Sequence, residues 1–173
     1  MMNIRKATQG DAAGIAKVHI DSWRTTYKNI VPDDYLDSLN YEERKKRWKQ
    51  IVYEGIVYVA EHDGKIVGFS SGGKEREGKY NHYDGELYAI YILKEYQGKG
   101  IGKKLVKPIV DELTKAGFRS MLVWVLKDND ATYFYENLGG EYVDSAVITI
   151  CSAALKEIAY GWPDINALRQ NVI

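Results

Sequence analysis

Cysteine is almost missing from this chain of 173 residues: Cys151 stands alone, so no internal disulfide can form and no thiolate-rich metal site can be assembled. Histidine is nearly as scarce. His19, His62 and His82 lie too far apart for a zinc signature, and no metal is expected. An excess of either charge is also absent, with 24 basic against 24 acidic residues, which argues against a surface built to hold nucleic acid. No stretch reaches the roughly 20 apolar residues needed to cross a bilayer, and the opening MMNIRKATQGDAAGIA has no apolar core of a signal peptide. The expectation is a soluble cytoplasmic protein without a membrane partner.

What is abundant is tyrosine, at 14 residues with four tryptophans, which suits half-buried positions where a ring packs and its polar tip stays wet. The length fits one domain, residues 1–173, with enough chain for a full sheet covered by helices. A short strand is expected over Asn3–Thr8. Thr8 and Asp11 then cap a first helix that ends near Tyr27, and Pro32 marks a helix entrance. Asn40 with Glu43 caps the charged stretch through Gln50, so that two helices precede the main sheet. Two β-rich runs flank Asp63-Gly64 and predict a hairpin over residues 55–73. GELYAIYIL predicts a strand over Gly85–Leu93. Ile101, Leu105, Ile109 and Leu113 mark the buried face of a helix that ends near Gly117 and should bend, or lose one backbone hydrogen bond, at Pro108. Arg119–Leu126 is short and apolar, as in a central parallel strand, and completes a strand–helix–strand crossover. NDATYFYENLGG predicts another helix, capped by Asn129. Two late strands follow, Pro163 breaks the second, and the last ten residues are expected to form a tail.

Between the Gly85–Leu93 strand and the next helix lies EYQGKGIGKKL, with Gly98, Gly100 and Gly102 alternating. A glycine-rich entry into a helix lets backbone N–H groups approach an anion at the positive end of the helix dipole. Gly102-Lys103-Lys104 lacks the hydroxyl of a Walker loop, and the glycine spacing and mid-chain position fit a dinucleotide fingerprint poorly.

Gln97, Gly100 and Gly102 match the Gln/Arg-x-x-Gly-x-Gly/Ala pyrophosphate loop of the acetyl-CoA-dependent N-acetyltransferases, and the chain resembles that superfamily, the GNAT fold. LYAIYILKEYQGKGIGKKLV looks like its fourth strand, loop and third helix. LKDNDATYFYENLGG is similar to its Asn-x-x-x-x-x-Tyr segment, with Asn129 and Tyr135 in the matching places. HIDSWRTTYKNIVPDDYLDSLN looks like the substrate-side helices of a branch that includes polyamine acetyltransferases.

The resemblance implies an α/β domain with a mixed sheet of about seven strands, about four flanking helices and a splay between strands 4 and 5. Its parts would be an acceptor-side segment 1–54, a sheet and cofactor segment 55–127, and a catalytic helix with late strands at 128–173. Acetyl-CoA would lie on Ile90, Tyr91 and Ile92, with an oxyanion-stabilising N–H near Ile92. Its phosphates would meet the loop Gln97, Gly98, Lys99, Gly100, Ile101, Gly102 and Lys103, and Asn129 would contact it as well as cap its helix. Tyr135 would be the general acid for the departing thiolate. An amine must lose a proton before it attacks, and Glu86 is the expected base, with Asp84 a weaker choice. Trp23, Tyr27, Tyr80 and Tyr83 would line the acceptor side. The expected activity is direct acetyl transfer to a small primary amine such as a polyamine. A peptide N-terminal acetyltransferase and a non-catalytic acyl-CoA-binding module are the alternatives, and a homodimer is allowed for.

Overall fold

A computed structural model describes residues 1–173. Seven strands form one mixed sheet in the order β1-β2-β3-β4-β5-β7-β6. They are β1 (Met2–Lys6), β2 (Ile56–His62), β3 (Lys65–Lys74), β4 (Gly85–Ile92), β5 (Met121–Leu126), β6 (Glu141–Ile150) and β7 (Ala153–Trp162). Every neighbouring pair is antiparallel except β4 and β5. The helices are α1 (Ala12–Thr26), α2 (Asp33–Ser38), α3 (Tyr41–Glu54), α4 (Ile101–Lys115), α5 (Ala131–Asn137) and α6 (Ile165–Asn171). None is long and apolar enough to cross a membrane.

Local chemistry accounts for most boundaries. The Asp11 carboxylate accepts from the Thr8 N–H at 2.8 Å just before α1 and is gripped by both terminal nitrogens of Arg5 at 2.8 and 2.9 Å. Asn40 Oδ1 accepts from the Glu43 N–H at 3.0 Å, which sets the start of α3. Asp63 and Gly64, at φ 50° and 80°, make the tight β2–β3 turn that matches the right-handed twist of its strands. Pro108 stays inside a continuous α4, and the buried Ser70 hydroxyl donates to the Leu105 carbonyl one turn back at 2.8 Å.

Two expectations fail on short helices. Three helices, not two, precede the main sheet, because α2 forms after Pro32 and buries Leu36. The chain end is no tail: Asp164 accepts from the Asn166 N–H at 3.0 Å, and α6 buries Ile165 and Leu168 in the core it shares with α4. These two helices of six and seven residues are too short to display a helical period, and they raise the count to six.

The sheet is covered on both sides. Leu105, Ile109 and Leu113 of α4 are fully buried, as are Ile15, Val18 and Ile20 of α1. The starts of β4 and β5 are clamped by Asp84, whose carboxylate accepts from the N–H groups of Arg119 and Ser120 and from the Ser120 hydroxyl. Those hydrogen bonds hold its pKa below the ordinary aspartate value against the opposing effect of burial. Asp84 is therefore a structural clamp.

Candidate active site

Strands β4 and β5 pair only from Gly85–Met121 to Leu87–Val123 and then separate. The cause is visible one strand away: on β3, Ser71 pairs with Ala89 and Gly72 with Leu87, so Tyr88 has no partner and β4 bulges there. Beyond the bulge, Ile92 sits beside Leu105 of α4, since a Cβ on Gly68 would lie 3.2 Å from both. Tyr91 turns the other way, onto Trp23 of α1 and Tyr27, which caps its end. The β5-facing edge of β4 is left with unpaired backbone groups, and a ligand can satisfy them by lying along the strand.

The glycine loop follows from the end of that strand. Gln97 Nε2 donates to the Ile92 carbonyl at 2.9 Å and folds the chain back toward α4. Gly98 and Gly100 adopt φ 74° and 80°, which a side chain rarely tolerates, and nothing lies within 4 Å of a Cβ at either one. Gly102 is glycine for another reason. Its φ is ordinary, but a Cβ there would meet the Phe134 ring at 3.0 Å. Two left-handed glycines beside open space lead into a 15-residue helix whose first N–H groups have no partner within the helix, a setting for phosphate oxygens.

That space belongs to a cavity of about 780 Å³ running from Gln97, Gly98, Gly100 and Lys103 past Ile90, Tyr91 and Ile92 to Asn129 and Tyr135. Ile101 and Gly102 line it too, and Lys94 adds a second cation. Lys99 is not in the lining and extends over the Tyr96 ring instead.

Tyr135 reaches the splay from α5. Its ring is buried against Tyr160 and Trp162, while Tyr133 points outward. The Tyr135 hydroxyl has no hydrogen-bond partner in the chain, and burial first, then nearby Tyr27, pushes its pKa well above the ordinary phenol value. A phenol so placed stays protonated and can donate to whatever enters. Asn129 Oδ1 accepts from the Ala131 N–H at 2.9 Å, and its Nδ2 donates to the Tyr27 hydroxyl at 3.1 Å. Its carbonyl oxygen thus caps α5 and one N–H holds Tyr27, while the second N–H has no partner in the chain and the residue borders the cavity.

A second, smaller cavity of about 190 Å³ shares Ile90, Tyr91, Asn129, Ala131 and Tyr135 with the first. Trp23 and Tyr27 line it, joined by Tyr88, Trp124, Ile148, Ile150 and Glu157. None of these last five stands out in the sequence. On the short, continuously apolar β5 no alternation singled out Trp124, and the β6–β7 hairpin curls over the cavity only in three dimensions.

Tyr80 and Tyr83 lie outside both linings. Tyr80 donates to Asp144 at 2.7 Å, and Tyr83 covers Gly161 of β7. Glu86 also lies outside, with its side chain 2% exposed. One of its oxygens accepts from the Arg76 N–H at 3.1 Å and the other from the Arg76 guanidinium at 2.6 Å. Both are committed, so in this geometry Glu86 does not meet an amine in either cavity directly.

Two cavities with a common wall at an unpaired strand edge, a glycine loop leading into a helix at one end and a buried phenol in that wall, have the shape that acyl transfer requires. A family model for the acetyltransferase (GNAT) family matches residues 17–139, and the chain belongs to that family of acetyl-CoA-dependent N-acetyltransferases. It is 44% identical over 172 residues to the uncharacterized N-acetyltransferase YuaI of Bacillus subtilis, covering 98% of this chain and 97% of that one. It is 27% identical over 145 residues to the spermidine N(1)-acetyltransferase of Thermoplasma acidophilum, covering 79% and 86%. The PaiA N-acetyltransferase of the same organism, solved with coenzyme A, superposes with a TM-score of 0.72 at 24% identity over 91% of this chain and 98% of that one. The donor suits the larger cavity here: N–H groups and Lys103 at one end for its phosphates, and a bare strand edge for its amide-bearing arm.

Proposed function

We propose that this chain transfers an acetyl group from acetyl-CoA directly to a small primary amine. The observation that carries the reading is the unpartnered Tyr135 hydroxyl, in the wall common to a large cavity with a phosphate cradle and a small aromatic one. Acetyl-CoA supplies an activated acyl group as a thioester.

The chain's part is to align, polarise and protonate. The loop Gln97–Lys103 and the α4 N-terminus hold the phosphates, with Lys103 adding a charge. The edge of β4 over Ile90–Ile92 keeps the arm in register, and an N–H near Ile92 stabilises the developing oxyanion. Tyr135, a phenol protonated near neutral pH, hydrogen-bonds to the departing sulfur and passes its proton as negative charge develops there. The proton of the amine leaves through water on the acceptor side, with Glu86 fixing Arg76 behind the site.

A peptide acceptor would need an open groove with polar backbone partners. The acceptor cavity is small and mainly apolar, and Ile148 and Ile150 of β6 help to wall it in. Incubation with acetyl-CoA and a panel of amines, read by thiol release and by mass of the product, tests the reading. Release with a mass gain of one acetyl group on an amine is expected; release without any acetylated amine would sink it.

A further inference from the structure

The geometry points to an acceptor with one positive charge on a compact apolar body, its ammonium group paired with the Glu157 carboxylate on entry; the ammonium proton then leaves through water, and the neutral nitrogen attacks the thioester. This rests on the acetyltransferase reading and names the acceptor class for the same site. Fourteen of the sixteen residues around the smaller cavity are hydrophobic, and the others are Asn129 and Glu157. Tyr135 and Trp23 in the wall also keep an unpartnered O–H and N–H, but Glu157 is the only carboxylate there, and so the only group in the wall that can carry a charge opposite to an ammonium.

Glu157 lies on β7 opposite Leu126, where β5 ends, and makes no hydrogen bond or ion pair within the chain. Cations are not spare there: the Arg76 guanidinium, the charge nearby, is held by one Glu86 oxygen while the other takes the Arg76 backbone N–H, and Lys79 pairs with Glu77 at 3.2 Å. A half-buried carboxylate facing aromatic rings and near two further acids is costly unless a cation joins it. Burial, then Glu77 and Glu86, raise its pKa, the direction expected for a carboxylate short of positive charge.

The same wall excludes other acceptors. A polyamine brings further ammonium groups, and no second carboxylate lines the cavity. An amino acid brings its own carboxylate toward Glu157 with no free cation to receive it. At about 190 Å³ the cavity is smaller than the roughly 300–1,000 Å³ of drug-sized sites, and its aromatic faces suit an apolar body and an approaching cation.

The test uses purified full-length protein and begins with thermal unfolding in acetyl-CoA. No rise in midpoint overturns the acetyltransferase reading itself. With that rise established, thiol release is measured with 2-phenylethylamine, isopentylamine, spermidine, methionine and an alanine-initiated tripeptide. Expected is a kcat/KM for one of the monoamines at least about 10-fold above the other three classes, with Glu157→Gln raising its KM about 10-fold or more. Glu157→Asp should restore part of that loss, and the acetyl-CoA midpoint shift should match that of the native protein in both variants. Preference for spermidine, methionine or the tripeptide overturns the inference, as does a silent monoamine arm in a protein that acetyl-CoA protects. A Glu157→Gln protein with native KM overturns the role of Glu157. Should that variant not fold, the ranking on native protein still decides the acceptor class.

Discussion

Asn129 joins two distant parts of the chain: its Nδ2 donates to the Tyr27 hydroxyl at 3.1 Å while its Oδ1 caps the N–H of Ala131. Tyr27 lies 3.3 Å from the Tyr91 hydroxyl, so the end of α1, the splayed strand β4 and the helix that carries Tyr135 share one polar chain. Substituting Asn129 by Ser keeps a capping oxygen but loses the reach to Tyr27, whereas Ala loses both. Urea unfolding should show Asn129→Ala less stable by about 1–2 kcal/mol and Asn129→Ser by about half of that. Equal losses would mean that the Tyr27 bond carries no stability.

Gly100 and Gly102 should respond to alanine in opposite ways. At Gly100 the methyl group enters open space in the donor cavity, and the φ of 80° costs about 1 kcal/mol for a non-glycine residue. Acetyl-CoA affinity should fall about 10-fold or more by titration calorimetry. At Gly102 the methyl group presses on Phe134 at 3.0 Å, so stability falls by about 1–3 kcal/mol. Adding Phe134→Leu should recover part of that loss, a non-additivity that a double-mutant cycle measures.

Tyr135→Phe removes a hydroxyl that bonds to nothing in the chain and keeps the ring among Tyr160 and Trp162. Stability and acetyl-CoA affinity should hold while kcat drops about 10- to 1000-fold. Single-turnover rates are the proper readout, since slow product release can hide a chemical defect. Native single-turnover chemistry in this variant would remove Tyr135 from proton donation.

Glu86→Gln should act mainly on structure. It weakens a charge-assisted hold on Arg76, whose side chain is 58% exposed and can return its charge to water, so a loss of about 1–2 kcal/mol is expected. The pH dependence of kcat should keep its native shape. A rate deficit that shrinks as pH nears the amine pKa would instead restore Glu86 as the base.

His19 gives a pH prediction away from the chemistry. Its Nδ1 accepts from the Trp48 indole N–H at 3.0 Å, so protonating it would set two donors against each other. Burial, helped by Arg44 and Arg47, pulls its pKa down to about 3 from 6.5. The unfolded chain therefore binds this proton first. Stability is fully present above about pH 6.5 and declines by at most about 1.4 kcal/mol per pH unit as pH falls toward 3. Urea unfolding from pH 7 to 4 should show this slope, and His19→Asn should flatten it.

The chain's own pattern determined the elements and the donor loop. Asp63-Gly64 can turn only one way between two β-rich runs, Asn40 and Glu43 announce a cap, and the spacing from Ile101 to Leu113 buries one helix face. Such local signals act within a few residues, so the sequence carries them openly. Short helices such as α2 and α6 do not repeat enough to show a period: Pro32 marks where α2 can enter, nothing marks α6, and packing decides both, because the core offers Leu36 and Leu168 a place. The acceptor side is tertiary throughout. Glu86 and Glu157 are both acids on strands in a linear reading, yet Arg76 occupies one and leaves the other facing a cavity. Gly102 looks like a third phosphate glycine until Phe134, 32 positions on, is placed against it. Contacts between residues distant in sequence depend on register, bulges and strand order, and those are set by the folded sheet as a whole.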